Sequence, residues 1–167
     1  MFENILVSLI PPRLSVAAIV FLYAATGNLF AAEVLEGPVL ARVERVVDGD
    51  TVAVIAAIWI GQDIRVSVRV NGIDTPELKG KCSQEIKLAQ FARRFVVNWT
   101  YSGWVKLKNI KQGKYAGRVI ADVFDSRGRN LAVELLKKGL AIPYSGGKRP
   151  NWCGLRARLM ISQAYGN

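Results

Sequence analysis

Two short acidic turns and two arginines are the residues of this chain that could do chemistry. The first turn is Asp48-Gly49-Asp50-Thr51; the second is Asn71-Gly72-Ile73-Asp74-Thr75-Pro76-Glu77. Pro76 fixes its own φ and pushes Thr75 out of helical space, so Asp74 and Glu77 are expected on a stiff, extended corner. Arg69 ends the alternating run Ile64-Arg65-Val66-Ser67-Val68-Arg69-Val70, and Arg118 ends Tyr115-Ala116-Gly117-Arg118. Acidic turns together with forked cations suit a hard metal ion and a phosphate.

The reaction such a set could run is phosphodiester hydrolysis. Attack of water places excess negative charge on the phosphoryl oxygens, and the site must neutralise it. A divalent ion on one oxygen does part of this. Arginine does more, because its planar fork donates two bonds to a phosphate and stays charged. A carboxylate can orient or deprotonate the water. On this reading Asp50, Asp74 and the Thr75 carbonyl hold the metal, Arg69 and Arg118 clamp the phosphate, and Glu77 handles the water. Each part has a plainer reading. Asp48-Gly49-Asp50 alone is an ordinary hairpin turn, Asp74 to Glu77 a loop leading to a helix, and the arginines solvent-facing charges or, for Arg118, a structural ion pair. Their joint occurrence is what points to chemistry.

Composition narrows the class. With 167 residues the chain can bury one core of its own. Lys+Arg 23 against Asp+Glu 13 gives +10, a balance that favours nucleic acid or an anionic membrane surface; solubility is the plainer explanation. There is no histidine. That excludes imidazole bases, histidine metal clusters and triads that need a histidine. Two cysteines without histidine also speak against structural zinc. A metal would be held by oxygen, hence calcium or magnesium.

Residues 1–32 differ from the rest. Arg13 precedes an uncharged, mostly apolar run from Leu14 to Ala32, with small residues at its end. This is the pattern of a secretory signal peptide; an uncleaved anchor is the alternative, against which the Gly27-Asn28 break argues. The expected organisation is a leader over 1–32 and one domain over 33–167, in a secreted or periplasmic protein.

The elements that must position the acids and arginines are mostly strands. Val39 to Val47, Thr51 to Ile60, Ile64 to Val70, Trp104 to Ile110 and Gly117 to Phe124 read as five strands, with a turn at Gly61-Gln62-Asp63. Ser83 to Tyr101 reads as a helix capped by Ser83, with Ile86, Ala89, Phe95, Val96 and Trp99 on its apolar face. Asn130 can cap a second helix that ends before Gly139, and Leu155 to Ala164 reads as a third. The fold class is α+β, mainly β: five strands with a helix after the third fit an oligonucleotide/oligosaccharide-binding (OB) barrel.

Val47-Asp48-Gly49-Asp50-Thr51, then Arg69 before Ile73-Asp74-Thr75-Pro76-Glu77, then Gly117-Arg118, resembles the thermonuclease (staphylococcal-nuclease-like) family from about Val39 to Tyr144. The resemblance implies an OB barrel and a Ca2+-dependent nuclease that cuts DNA and RNA and leaves 3′-phosphate ends. It implies Asp50 and Asp74 as calcium carboxylates, Thr75 as carbonyl ligand, Glu77 as the general base or water-positioning acid, Arg69 and Arg118 on the phosphate, and Asp48 as an outer acid. Two departures stand out. The stretch between Asp50 and Asp74 is longer than in the family's prototype. The prototype's Tyr-Gly-Arg carries one extra residue here, Ala116. Tyr115 and Tyr144 are candidate substrate contacts by base stacking, with core packing as the alternative for each.

Cys82 and Cys153 are expected to form a disulfide in an exported chain; two free or buried thiols are the alternative. The function expected is an exported nuclease acting as a monomer on DNA and RNA, with no obligate protein partner and a membrane contact only through an uncleaved leader. The rival is a non-catalytic OB module that binds nucleic acid.

Overall fold

The computed structural model describes residues 33–154. The expected leader and the expected helix over 155–164 lie outside the described residues. The elements in chain order are β1 (Val34–Leu35), β2 (Val39–Val46), β3 (Thr51–Trp59), β4 (Gln62–Val70), β5 (Ile73–Asp74), α1 (Ser83–Trp99), β6 (Trp104–Gln112), β7 (Arg118–Phe124), α2 (Leu131–Lys137) and β8 (Ile142–Pro143). The sheet runs β1-β6-β2-β3-β4-β7, and β6 also pairs with β7. That second pairing closes β2, β3, β4, β7 and β6 into a five-stranded barrel. All its pairings are antiparallel except β4 with β7. This is the OB architecture expected from the strand pattern.

The alternation in each strand sorts side chains between barrel interior and surface. Ala41, Val52, Val54, Val68, Val70, Val105, Leu107, Ala121 and Val123 point inward and are buried. Leu131 and Leu135 of α2 and Ala92 and Val96 of α1 complete this core. Truncating a residue such as Leu131, which is fully buried, should cost about 2–5 kcal/mol. A smaller cluster of Leu88, Ile142 and Trp152 lies beside it.

Several element details differ from the sequence reading. The β3–β4 turn is only Ile60-Gly61, with Gln62 and Asp63 already in β4. Gly61 reaches φ +72°, so two residues suffice to reverse the chain. Helix α1 is capped by Cys82, not Ser83: the Cys82 sulfur accepts from the Glu85 N–H at 3.5 Å. Ile86 and Phe95 are only half-buried, and Leu88 and Ala92 take the inner positions. Cap and terminal glycine of α2 are as expected: Asn130 Oδ1 accepts from Ala132 N–H at 2.8 Å, and Gly139 has φ +66°. Cys82 and Cys153 form a disulfide with Cα atoms 5.9 Å apart.

Candidate active site

The barrel brings the two acidic turns together. Asp50 starts from the corner between β2 and β3, and Asp74 ends β5, which pairs with β8 through Asp74↔Ile142. Both side chains are buried, Asp74 at 0% exposure. Thr75 N–H donates to Asp50 Oδ2 at 3.0 Å, which ties the second turn to the first. The approach is close enough that Gly49 has no substitute: a Cβ there would stand 2.7 Å from Ala92 Cβ of α1 and 2.9 Å from Thr75 Oγ1. The glycine read as a turn residue is thus a contact point between the first turn, the second turn and the helix.

Strand register places the arginines. Arg69 pairs with Thr51 on β3 and Ile120 on β7, and Arg118 pairs with Ser67. Both therefore leave the barrel on the face away from Val68 and Val70. Arg69 bridges the acidic turns: Nη1 donates to Asp50 Oδ1 at 2.6 Å, and Nη2 to Asp74 Oδ1 at 3.2 Å and to the Ile73 carbonyl at 3.4 Å. Arg118 Nη2 donates to Thr51 Oγ1 at 3.0 Å, and Thr51 Oγ1 donates in turn to Asp50 Oδ1 at 3.0 Å. The Nε of Arg118 is buried and has no hydrogen-bond partner among the described residues. Asp48 Oδ1 accepts from the Asp50 N–H at 3.1 Å. Burial, and then the neighbouring charge of Asp50, push the Asp48 carboxyl up to about 6.

Above these groups lies a cleft of about 490 Å³ lined by Arg69, Glu77, Arg118, Tyr115, Tyr144 and Arg149, among others. Every sequence-predicted arginine and tyrosine, together with Glu77, thus reaches one cavity. Asp50, Asp74 and Thr75 do not line it; they are hydrogen-bonded to Arg69 or Arg149, which do. Tyr115 is 60% exposed, which removes the core-packing alternative for it. Tyr144 is half-buried, and its hydroxyl donates to the Gly147 carbonyl at 2.7 Å.

Three site residues escaped the sequence reading. Arg149 reaches back into the second turn. Its Nε donates to Asp74 Oδ1 at 2.9 Å, its Nη2 to the Thr75 carbonyl at 2.8 Å, and its Nη1 to Glu77 Oε1. Burial opposes the Arg149 charge, but the hydrogen bond and charge of Asp74, then the charges of Glu77 and Asp50, outweigh it and raise its pKa. Trp152 Nε1 donates to Asp74 Oδ2 at 2.8 Å in a buried contact. Glu85, buried in the first turn of α1, accepts from the Glu77 N–H at 3.3 Å and the Lys81 N–H at 2.9 Å. Gly80 makes room for it, since a Cβ there would lie 2.5 Å from Glu85 Cγ. By residue type and position alone, Glu85 is only a first-turn acid that suits the helix dipole. The cysteines carried the missing signal for the other two. Cys82 lies just past Glu77, so bridging it to Cys153 returns Arg149 and Trp152 to the second turn.

No curated protein matches the chain. The family model for staphylococcal nuclease homologues matches residues 67–153, just over half of the chain. The match spans Arg69, the second acidic turn, Arg118 and the Arg149–Trp152 segment, while Asp50 lies before it. By its closed barrel and by this match, the chain belongs to the staphylococcal nuclease homologue family, a family of nuclease type.

Proposed function

We propose that the chain is an exported, Ca2+-dependent nuclease that hydrolyses phosphodiester bonds of DNA and RNA at the P–O5′ bond, leaving 3′-phosphate ends. The observation that carries this reading is one cleft lined by Arg69, Arg118 and Glu77 whose Arg69 and Arg149 are hydrogen-bonded to the buried Asp50, Asp74 and Thr75. The donor set fits a hard cation. It offers two carboxylates and a main-chain carbonyl, without sulfur or nitrogen. A positive group, the Arg149 guanidinium, already sits on Asp74 Oδ1 and the Thr75 carbonyl. Asp50, Asp74 and Thr75 would hold Ca2+, which when bound would supply charge neutralisation at the phosphate.

The chain's own residues do the rest. Arg118, whose Nε has no partner among the described residues, retains donor capacity for a phosphate oxygen. Arg69, braced by two carboxylates, is held in one orientation and needs no reorganisation when charge develops. Glu77, whose side chain is 47% exposed, orients water and takes its proton. Glu85 acts as a positioning residue by holding the Glu77 backbone. The exposed ring of Tyr115 offers a stacking surface for a base, and the +10 balance draws the polyanion in.

One observation favours the alternative of a non-catalytic nucleic-acid-binding module: Arg149 already engages Asp74 and Glu77. Plasmid DNA incubated with the protein and Ca2+, with and without excess chelator, separates the two. Chelator-sensitive cutting is expected; binding without cutting would establish the module instead.

A further inference from the structure

The segment from Tyr144 to Cys153 straps the mouth of the site. Its near end is fixed by the Tyr144 N–H on the Gly72 carbonyl at 2.9 Å. Its far end is fixed by the disulfide and by Trp152, whose indole is buried against Leu88 and Ile142. Between these anchors Gly146 and Gly147 have φ +108° and +90°, backbone that other residues rarely adopt. From this strap two side chains reach the second turn: Trp152, whose Nε1 meets Asp74 Oδ2, and Arg149, the one that carries charge.

What it touches is the point. Asp74 Oδ1 accepts from Arg69 and from Arg149, and Oδ2 accepts from Trp152. The Thr75 carbonyl and Glu77 Oε1 accept from Arg149 as well. Arg149 therefore uses one lone pair on each of two oxygens assigned above to a metal, and engages the carboxylate assigned to water. Charge gives the reason it sits there. Asp50 and Asp74 are buried and share the one guanidinium of Arg69, and leaving buried carboxylates short of partners is costly; Arg149 adds a second cation on Asp74 and pairs with Glu77.

We propose that Arg149 is an internal cation that fills the metal seat of the ion-free protein, so that a divalent ion and the seated guanidinium exclude one another. The proposal rests on the calcium reading of the site. An ion binding at Asp74 and Thr75 takes the lone pairs that Arg149 holds, and the strap releases the guanidinium into the cleft while the disulfide and Trp152 keep its far end attached. Release also frees Glu77. Seating lowers the apparent affinity for the ion by the fraction of molecules in which Arg149 is out of the seat. Asp74 and the Thr75 carbonyl then give up the Arg149 cation only when an ion is there to replace it.

The test is calorimetric titration of the full chain with CaCl2, comparing wild type, Arg149→Gln and Arg149→Lys. Thermal unfolding by circular dichroism checks that each is folded. Arg149→Gln, which keeps amide donors but no charge, should bind Ca2+ at least about tenfold more tightly than wild type. Arg149→Lys, with the charge but no fork, should fall between; it carries the test if the glutamine variant does not fold. In the wild type, the Arg149 Nε–H resonance should be protected from exchange without Ca2+ and lose that protection as Ca2+ saturates. Equal affinity in all three proteins overturns the inference and leaves the calcium reading standing. Weaker binding in Arg149→Gln overturns it too, since Arg149 would then support the ion. No calcium binding to any of the three overturns the calcium reading, and the inference with it.

Discussion

Opening the Cys82–Cys153 bond tests how much of the domain's stability comes from a cross-link that also holds the strap at the site. The bond joins residues 71 positions apart and encloses α1, β6, β7, α2 and β8. In the chain-entropy account a loop of that length restricts the unfolded chain by an amount worth about 4 kcal/mol at 25 °C. With roughly 2 cal/mol/K per residue of unfolding entropy, this is on the order of 15 °C in Tm. The substitution must not remove the helix cap along with the bond. Cys82→Ser is suited to this, because a serine hydroxyl can accept from the Glu85 N–H where the sulfur does now. Cys153→Ser removes the bond from the other end and leaves Cys82 as cap. Thermal and urea unfolding of wild type, both variants and the reduced wild type should therefore give one common, lowered midpoint for the last three. A Tm loss below about 4 °C, equivalent to roughly 1 kcal/mol, would refute the entropic argument. A much larger loss in Cys82→Ser than in Cys153→Ser would show that the cap, not the cross-link, carries the effect.

Other outcomes follow from single contacts. Glu77→Gln should lower turnover on DNA by roughly 10²–10⁴ with little change in binding, read from cleavage and from filter binding. Arg69→Lys cannot span Asp50 and Asp74 with one ammonium, so it should lose about 1.5–3 kcal/mol of stability in urea and lower cleavage far more than a charge count suggests. Gly49→Ala should depress Ca2+ affinity and Tm together, because the added methyl pushes the first turn off Thr75 and Ala92. For Asp125, burial raises the carboxyl pKa, but the hydrogen bonds from the Arg129 backbone and side chain, the Arg129 charge and the Arg127 N–H outweigh it, leaving the folded value below 3.8. Stability from this group is present above the unfolded pKa and lost as pH falls through the folded one. Asp125→Asn should thus be destabilised at pH 7, and its gap to wild type in urea should close as pH drops below about 3.9. N-terminal sequencing of protein recovered outside the cytoplasm should find a start between about Asn28 and Glu33.

Strand alternation, the two acidic turns and the Gly-Arg step were legible along the chain because they are local. A period of two tells which residues of Ile64 to Val70 face a core, and Pro76 stiffens the corner after Asp74 wherever that corner ends up. A third cation on the acidic turn was not legible. Arg149 stands 75 positions from Asp74, in a glycine-rich segment with no period of its own, and it meets the carboxylate only because β5 pairs with β8 and Cys153 is bonded to Cys82. Glu85 and Gly49 show the same limit at shorter range. By residue type alone, one is an acid in the first turn of a helix and the other a turn glycine. Only the closeness of the 77–81 loop to α1, and of the first turn to Thr75, made one a positioning acid and the other a contact point. Residue type and local spacing set which chemistry is possible; which groups share a seat depends on long-range pairing, and that is decided when the barrel closes.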